Sequence, residues 1–469
     1  MQKAQFGMIG LGTMGRNLVL NMADHNISVC GYDRNPEQQK RLLEAGAGKP
    51  VQTAASLPEF INSLEQPRRV MMLVPAGAIT DAVIDEVSAL LQPGDILIDG
   101  GNAHYADTNR RIEKLKDTGI HFTGVGVSGG EDGARLGPSL MPGGNRASYA
   151  ELQPIFEKIA AITTDGPCVA FVGNGSAGHY TKMVHNGIEY AIMQLISEVY
   201  SILKNAFGCS NDEMHAIFND WNKGKLQSFL VEITAKIFLQ KDDVQTDQYL
   251  LDMILDKAAQ KGTGIWTSES AMKLAIPTTV IDEAVAARVL SSFKTDRQVI
   301  DSFTQERKPA IAPVNKAEMI QQLHDALYFG MAISYVQGMH LIKTASDTYQ
   351  YEINLAEVAR IWKGGCIIRS VMLNDIGKVF SEYPATKNLL LNKDFYESVH
   401  SHKNSTANVL KLAIDHALGT PVLSSSLQYF YMMSSGRLTS NMIQAQRDFF
   451  GAHTYQRIDK EGSFHTNWS

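Results

Sequence analysis

Three glycines near the amino terminus constrain the fold of this chain more than any other feature. Gly10, Gly12 and Gly15 follow the spacing G-x-G-x-x-G, after a short apolar run and before an amphipathic, helix-like segment. In this order the first glycine permits a tight turn, the second lets backbone amides approach a pyrophosphate, and the third lets helix and strand pack closely. The pattern predicts a strand, turn and helix that open a dinucleotide-binding α/β domain.

The end of the next predicted strand bears on which dinucleotide would bind. The run "ISVCGY" is strand-like, and Asp33 and Arg34 follow it, about where a contact with the adenosine ribose is expected. An acid there favours the free ribose hydroxyls of NAD, whereas an arginine favours the 2′-phosphate of NADP. The sequence presents both residues, and either could instead be an ordinary surface charge.

The rest of the chain divides by its hydrophobic periodicity. The strand-like runs "RRVMMLVPAG", "GDILIDGGN" and "HFTGVGVSGG" alternate with helix-like ones, which predicts a doubly wound, mostly parallel sheet within residues 1–177. From Gly178 the apolar spacing becomes helical, so residues 178–435 are expected to form a large all-α domain. Residues 436–469 are rich in aromatic side chains, which is typical of a tail that docks onto another surface.

The helical region contains an internal repeat. The segment "HNGIEYAIMQLISEVYSI" from His185 resembles "HDALYFGMAISYVQGMHL" from His324. Trp221 and Trp362 occur at matching places in "FNDWNKG" and "ARIWKGG". We expect two copies of a helical unit to stack together, because each copy alone would leave an apolar face in need of a partner.

The repeat serves as a control for the polar residues, because its copies differ at two positions. Lys182 is matched by Gln321 and Glu189 by Tyr328, whereas His185 has a histidine as its counterpart. A structural need shared by both copies explains a histidine, but it explains neither the lysine nor the glutamate. We therefore interpret these two residues as chemistry that belongs to one copy.

Lys182 and Glu189 belong to a polar stripe at helical spacing, which would place on one face Lys182, His185, Asn186, Glu189 and Tyr190. An amphipathic surface helix with a Lys/Glu pair would give the same pattern. The apolar continuation "YAIMQLI" instead favours a buried helix, in which polar groups need partners. A desolvated lysine loses its proton more readily and a desolvated carboxyl holds one, so the pair predicts a base and an acid.

Several residues further along suit a phosphate group. The segment "DKAAQKGTGIW" places Lys261 and Thr263 in a glycine-rich bend, which is typical either of phosphate binding or of an ordinary helix-terminating loop. Arg288 could serve the same end or form an ordinary ion pair. Near the carboxyl terminus, Arg447 and His453 lie among aromatic residues, a composition that suits docking.

Composition excludes several other classes of protein. The chain has 469 residues, 44% of them hydrophobic and 20% charged, with a net charge of −6, which fits a globular protein of several domains without a nucleic-acid-binding signature. Its 4 cysteines lack the spacing of a disulfide framework or a zinc site, so we expect no metal. No segment approaches about 18 uninterrupted apolar residues, and the chain starts in a strand-like run, so we expect a cytoplasmic protein without a signal peptide or membrane partner.

Six segments together resemble one family, the decarboxylating 6-phosphogluconate dehydrogenases of the pentose phosphate pathway and gluconate utilisation, within the β-hydroxyacid dehydrogenase superfamily. The segments are "GLGTMGRNL", "DGGNAHYADT", "GVGVSGGEDGARLGPSLMPGG", "GHYTKMVHNGIEY", "ILDKAAQKGTGIW" and "QAQRDFFGAHTY". The resemblance covers the whole chain. It implies a Rossmann domain, a duplicated all-α domain that forms most of a homodimer interface, and a tail that reaches into the partner subunit. It also implies oxidation of 6-phospho-D-gluconate by NADP, with release of ribulose 5-phosphate and carbon dioxide.

The resemblance implies roles for individual residues. Lys182 would be the base at the C3 hydroxyl, and Glu189 would protonate C1 of the enediol that follows decarboxylation. The substrate would be held by Asn102, Ser128, Gly129, Gly130, His185, Asn186, Tyr190, Lys261, Thr263 and Arg288, with Arg447 and His453 supplied by the other subunit. The cofactor would lie against Gly10, Leu11, Gly12, Thr13, Met14, Gly15, Asp33, Arg34, Asn35, Val74, Pro75, Ala76 and Asn102.

One segment departs from the family pattern. The family usually has Asn-Arg-Thr or Asn-Arg-Ser after the second strand, whereas this chain has Asp33, Arg34 and Asn35. An acid beside the 2′-phosphate would repel it by about 1 kcal/mol at a solvated surface. We expect NADP, with an NAD-preferring enzyme of the same family as the alternative.

Two other readings of the whole chain remain. One is another β-hydroxyacid dehydrogenase, such as one that acts on 3-hydroxyisobutyrate, which the phosphate-binding set disfavours. The other is a regulatory or scaffold protein that binds a cofactor without turnover, which the presence of both Lys182 and Glu189 disfavours.

Overall fold

The computed structural model describes residues 3–303 and 315–468. Its strands are β1 (Phe6–Ile9), β2 (Val29–Tyr32), β3 (Val51–Thr53), β4 (Arg69–Met72), β5 (Ile96–Asp99), β6 (His121–Ser128), β7 (Ser139–Gly144), β8 (Ile162–Thr163), β9 (Gly166–Pro167) and β10 (Gly173–Asn174). The helices of the first part are α1 (Thr13–Asp24), α2 (Pro36–Ala45), α3 (Leu57–Asn62), α4 (Ala78–Ser88), α5 (Tyr105–Leu115), α6 (Gly130–Leu136) and α7 (Arg146–Ile159).

Helices make up almost all the regular structure of the second part. They are α8 (Ala177–Asn205), α9 (Asn211–Trp221), α10 (Phe229–Leu239), α11 (Leu250–Met253), α12 (Thr263–Lys273), α13 (Thr279–Ser291), α14 (Lys294–Phe303), α15 (Lys316–Tyr349), α16 (Leu355–Ile361), α17 (Met372–Glu382), α18 (Lys393–His400), α19 (Lys403–Asp415), α20 (Pro421–Met433) and α21 (Ser440–Gly451). The predicted change from an α/β domain to a large helical region is therefore confirmed.

The first part is built on an eight-stranded sheet in the order β10-β7-β6-β5-β4-β1-β2-β3. All neighbouring strands are parallel except β6 and β7, which pair antiparallel. Strands β1, β2, β4 and β5 are short apolar runs that are buried almost throughout, as expected of a sheet covered by helices on both faces. The chain crosses from one side of β1 to the other between β3 and β4, and ligands of such sheets bind at this switch point.

The longest helices of the second part, α8 and α15, pack against each other and form the centre of its core. A side chain at Gly338 would meet Ile188, and one at Gly330 would meet Leu195, so the two helices run antiparallel and in close contact. The start of α8 also packs against the sheet, because a side chain at Gly178 would collide with the carbonyl oxygens of Gly124 and Met141. This contact brings one face of α8 to the end of β6.

Within the described residues, no helix is both long enough and apolar enough to cross a membrane.

Candidate active site

Three polar side chains within the first three turns of α8 are bonded to one another in a buried cluster. The Nζ of Lys182 donates to Oδ1 of Asn186 at 2.7 Å, and Nδ1 of His185 lies 3.1 Å from the same oxygen. Lys182 is 7% exposed, Asn186 8% and His185 0%. In the sequence His185 and Asn186 come one helical turn after Lys182. Because this part of α8 is buried, the three side chains must satisfy one another's hydrogen-bonding groups.

The strand end at β6 completes the surroundings of this cluster. The Oγ of Ser128 lies 3.1 Å from Nε2 of His185. With the proton on Nδ1, the imidazole donates to Asn186 and accepts from Ser128, which satisfies both contacts. The absence of a side chain at Gly126 makes room for Lys182, whose Cβ lies 2.5 Å from where a Cβ of residue 126 would be.

Glu189 follows on the same face, one turn beyond His185. Its Oε2 lies 3.9 Å from Nδ1 of His185, and its side chain is 22% exposed. Burial raises the pKa of Glu189, although the positive charges of Lys182 and Arg288 oppose this. A carboxyl group with a raised pKa can hold a proton and give it up as an acid.

Burial disfavours the charged forms of Lys182 and His185. Burial lowers the pKa of Lys182, with the carboxylate of Glu189 acting in the opposite sense. Burial, together with the charge of Lys182, lowers the pKa of His185 well below its usual value. Burial therefore favours the neutral forms of all three groups, the lysine, the histidine and the glutamic acid.

Part of the predicted phosphate-binding set lies next to this face. The guanidinium of Arg288 lies 3.6 Å from the centre of the Tyr190 ring. Thr263 is buried at the start of α12, after Gly262 with a φ of 90°. Gly264 lies so close to Tyr190 that a Cβ there would approach the ring to 2.6 Å, so α12 begins beside the polar face of α8. Lys261 lies two residues before Thr263 and is exposed.

The predicted cofactor residues surround a cavity of about 290 Å³ at the switch point of the sheet. From the predicted set the walls include Gly10, Gly12, Asp33, Arg34, Val74 and Pro75. Gly10 has a φ of 89°, and a side chain at Gly15 would lie 1.9 Å from the carbonyl oxygen of Gly10, so both glycines are required sterically. No heavy atom lies within 4 Å of where a Cβ of Gly12 would be. Helix α1 begins after this residue without a side-chain cap, so its first backbone amides are available to bind an anion.

The other predicted cofactor residues lie close to these walls. Leu11 donates its amide to the carboxylate of Asp33 at 2.8 Å, and Asn35 caps α2 by accepting from the amide of Glu37. Thr13 and Met14 form the first turn of α1, and Gly15 follows them. Ala76 follows Pro75, and Asn102 is exposed beyond the end of β5.

Arg447 and His453 do not join the other residues within the same chain. Arg447, in α21, donates to Gln444 at 3.2 Å, and the His453 ring contacts Phe450. Both belong to a tail that is folded on itself around the buried carboxylate of Asp448, which accepts from the Thr454 amide.

Sequence reasoning missed the residues that support the cluster from behind. Trp362 meets the His185 ring edge-on, with centroids 5.4 Å apart, and donates its indole N–H to the sulfur of Met141. A Cβ at Gly129 would lie 2.5 Å from the carbonyl oxygen of Gly365, so the loop after Trp362 packs directly on the loop after β6. The repeat marked Trp362 as structurally important, but only the folded chain shows which histidine it contacts.

Comparisons with known proteins agree over the whole chain. The family model "NAD binding domain of 6-phosphogluconate dehydrogenase" matches residues 5–173, and "6-phosphogluconate dehydrogenase, C-terminal domain" matches residues 178–468. The NADP(+)-dependent, decarboxylating 6-phosphogluconate dehydrogenase of Bacillus subtilis is 46% identical, with 100% of both chains covered. The decarboxylating enzyme of Escherichia coli is 45% identical over 100% of both chains.

A solved structure leads to the same family. The 6-phosphogluconate dehydrogenase of Plasmodium falciparum, described in its apo form and in complexes with NADP+ and with 6-phosphogluconate, superposes with a TM-score of 0.94. It is 41% identical, and the match covers 99% of this chain and 100% of that one. This chain therefore belongs to the 6-phosphogluconate dehydrogenase family.

Proposed function

We propose that this chain catalyses the oxidative decarboxylation of 6-phospho-D-gluconate to D-ribulose 5-phosphate and carbon dioxide, with reduction of NADP. The observation that carries the proposal is the buried face of α8, where a lysine with a lowered pKa and a glutamate with a raised pKa flank a neutral histidine. This reaction removes one proton and later delivers another, and the two residues are suited to these two tasks.

The residues at the switch point fit a dinucleotide. The open space above Gly12, the uncapped start of α1 and the close approach of Gly10 and Gly15 form a cradle for a pyrophosphate. The cavity walls beyond it are mainly apolar and suit an adenine ring. When bound, the nicotinamide supplies the acceptor for the hydride from C3.

Lys182 acts as the base in the first step. Its neutral amine takes the proton of the C3 hydroxyl while the C3 hydride leaves, which produces a 3-keto acid. The resulting ammonium then donates a hydrogen bond and a proton to the C3 oxygen. The bond between C1 and C2 breaks, its electron pair enters the enediol, and C1 leaves as carbon dioxide. Asn186, which accepts from Nζ of Lys182 at 2.7 Å, keeps the amine in place.

Glu189 acts as the acid in the last step. Its protonated carboxyl gives a proton to the terminal carbon of the enediol, formerly C2 of the substrate, while Lys182 takes back the proton of the enol oxygen. The products are ribulose 5-phosphate, an ammonium on Lys182 and a carboxylate on Glu189. Transfer of one proton from Lys182 to Glu189, directly or through solvent, restores both groups for the next turnover. Ser128, together with the backbone of Gly129 and Gly130, would bind the substrate carboxylate beside His185.

The substrate phosphate would bind at the other end of this face. Arg288, Lys261 and the hydroxyl of Thr263 supply two positive charges and a donor near Tyr190, a combination that suits a phosphate dianion. Among the β-hydroxyacid dehydrogenase alternatives, this set favours a phosphorylated sugar acid.

We further propose that the chain functions as a homodimer in which Arg447 and His453 complete the partner's phosphate site. The apolar side chains of Met442, Ile443, Phe449 and Phe450 are exposed along α21, which supports a docking role for residues 436–469. We propose that the chain comprises a dinucleotide-binding domain at residues 1–177, an all-α domain at residues 178–435 and a tail at residues 436–469. We also infer a cytoplasmic location, which the four free and buried thiols support.

Incubation with 6-phosphogluconate and NADP tests the central proposal. Absorbance of the reduced cofactor and trapped carbon dioxide should rise together in equal amounts. Cofactor reduction without carbon dioxide would contradict the decarboxylation step.

Subunit complementation tests the dimeric site. We expect Lys182→Met and Arg447→Ala chains each to be nearly inactive alone with 6-phosphogluconate at low concentration. Co-expressed hybrids should regain activity, because one of their two sites combines an intact Lys182 with an intact Arg447 from the other chain. Hybrids that stay inactive would place Arg447 in the site of its own chain, or outside any site.

A further inference from the structure

The adenosine end of the cofactor cavity carries an ion pair that the catalytic proposal does not use. Nη2 of Arg34, after β2, lies 2.6 Å from Oε1 of Glu86, which belongs to the last turns of α4. Both residues line the same cavity as Gly10 and Gly12. The pair therefore bridges the cavity at the place where an adenosine ribose would lie.

The charges in these walls are unfavourable for a 2′-phosphate. Among the described residues that line the cavity, Arg34 is the only cation, whereas Asp33 and Glu86 are both acids. Asp33 is fixed, because one carboxylate oxygen accepts from the amide of Leu11 and the other from the amide of Asn35, each at 2.8 Å. Among these residues only Arg34 can form an ion pair with a phosphate, and its guanidinium is already paired with the carboxylate of Glu86.

We propose that Glu86 is a specificity-determining residue, which holds Arg34 and so lowers the preference of this enzyme for NADP over NAD. A 2′-phosphate must compete with the Glu86 carboxylate for the same guanidinium, whereas the free ribose hydroxyls of NAD need no such displacement. The inference rests on the proposed function only in taking the cavity as the adenosine site.

The expected effect is moderate. The side chains of Arg34 and Glu86 are 66% and 52% exposed, so water and salt screen the pair. Glu86 should therefore tune the choice of cofactor without excluding NADP.

The test uses Glu86→Gln, which keeps the shape of the side chain and removes its charge. The ratio of kcat/KM for NADP to that for NAD should rise roughly threefold to fivefold, the range of an exposed ion pair. Binding of 2′,5′-ADP, measured by calorimetry, should tighten by a similar factor, while binding of 5′-AMP stays unchanged. These fragments report on the adenosine site even if the chain does not oxidise 6-phosphogluconate.

Two variants control the interpretation. Asp85→Asn removes a neighbouring charge on the same helix, but Asp85 pairs with Lys114 and does not line the cavity, so the cofactor ratio should not change. In an Arg34→Met background the effect of Glu86→Gln on 2′,5′-ADP should be much smaller, because no guanidinium remains to be released and only the direct repulsion between Glu86 and the phosphate is relieved. Retained 5′-AMP binding shows that each variant has kept the fold of the site.

Three results would overturn the proposal. They are an unchanged affinity of Glu86→Gln for 2′,5′-ADP, an equal gain in Asp85→Asn, and a gain of the same size without Arg34.

Discussion

The two copies of the helical repeat share one polar scaffold and differ in what surrounds it. In α8, Lys182, His185 and Asn186 are bonded together, and in α15 the equivalent residues repeat the arrangement, with Nε2 of Gln321 donating to Asp325 at 3.1 Å and His324 3.2 Å from the same oxygen. The aromatic partners are exchanged between copies, because His185 meets Trp362 edge-on and His324 meets Trp221 edge-on.

The surroundings of the two clusters differ. The α8 cluster faces the end of β6, where Ser128 contacts His185 and no heavy atom lies within 4 Å of where a Cβ of Gly130 would be. The α15 cluster is instead engaged by α19, since Ser405 donates to the Asp325 carboxylate at 2.9 Å and His402 lies 3.4 Å from it. In the proposed function the α8 copy offers its polar groups to a substrate, whereas the α15 copy bonds its own to a neighbouring helix.

Replacement of Lys182 should produce the largest difference in activity between matched changes in the two copies. Lys182→Met should lower the rate of hydride transfer at least about 10³-fold, because the general base is lost, while cofactor binding is kept. The matched change Gln321→Met should leave kcat within about twofold, since the second cluster contacts no substrate. Single-turnover absorbance measures both rates. A Lys182→Met enzyme with normal turnover would contradict the assignment of the base.

Replacement of Glu189 should have the second-largest effect on activity. Glu189→Gln should slow the formation of ribulose 5-phosphate about 10²-fold, because the enediol loses its proton donor. The matched Tyr328→Phe keeps the ring at the corresponding position of α15 and should affect activity little. Incorporation of deuterium at C1 of the product, followed by NMR in deuterated water, distinguishes protonation of the enediol from the earlier steps. Unaltered product formation by Glu189→Gln would remove this residue from the mechanism.

The tryptophans behind the histidines offer a smaller effect. Trp362→Phe loses the indole contact with Met141 and loosens His185, so kcat should fall roughly fivefold with little change in KM for NADP. Trp221→Phe should lower the melting temperature by a few degrees without that loss. Equal losses of kcat in both variants would indicate a general packing defect in place of a local one.

The smallest expected effect is on stability at low pH. Burial raises the pKa of Asp325, but hydrogen bonds from His324 and Ser405 more than offset this, and its folded pKa is lowered. The contribution of this carboxylate is therefore complete above its unfolded pKa, near 4, and is lost as the pH falls through the lower folded value. Asp325→Asn should flatten the pH dependence of the urea midpoint below about pH 4. An unchanged pH dependence would show that Asp325 is not coupled to folding.

The sequence predicts the fold well because its signals are local. Gly10, Gly12 and Gly15 mark the first βα turn, and the change of period after residue 177 marks the helical region. Comparison of the two repeat segments drew attention to Lys182 and Glu189 as positions at which the copies differ, and their catalytic roles stay predictions. Each of these inferences needs only residue spacing.

What the sequence did not predict depends on contacts between distant segments. Ser128 and His185 meet only because Gly178 lets α8 approach the sheet, and Trp362 reaches His185 across the repeat. The partner of Arg34 was equally hidden, since Glu86 lies 52 positions away on another helix. Spacing alone carries no information about such pairs.

We infer that the buried position of Lys182 in the fold makes this residue a base. Acylation of the enzyme by an amine-specific reagent over a range of pH, with modification of Lys182 quantified by mass spectrometry against a lysine in a free peptide, measures its pKa directly. We predict a midpoint clearly below that of the peptide lysine, together with protection by 6-phosphogluconate. A midpoint equal to that of the peptide lysine, without protection, would contradict the role of Lys182 as the base.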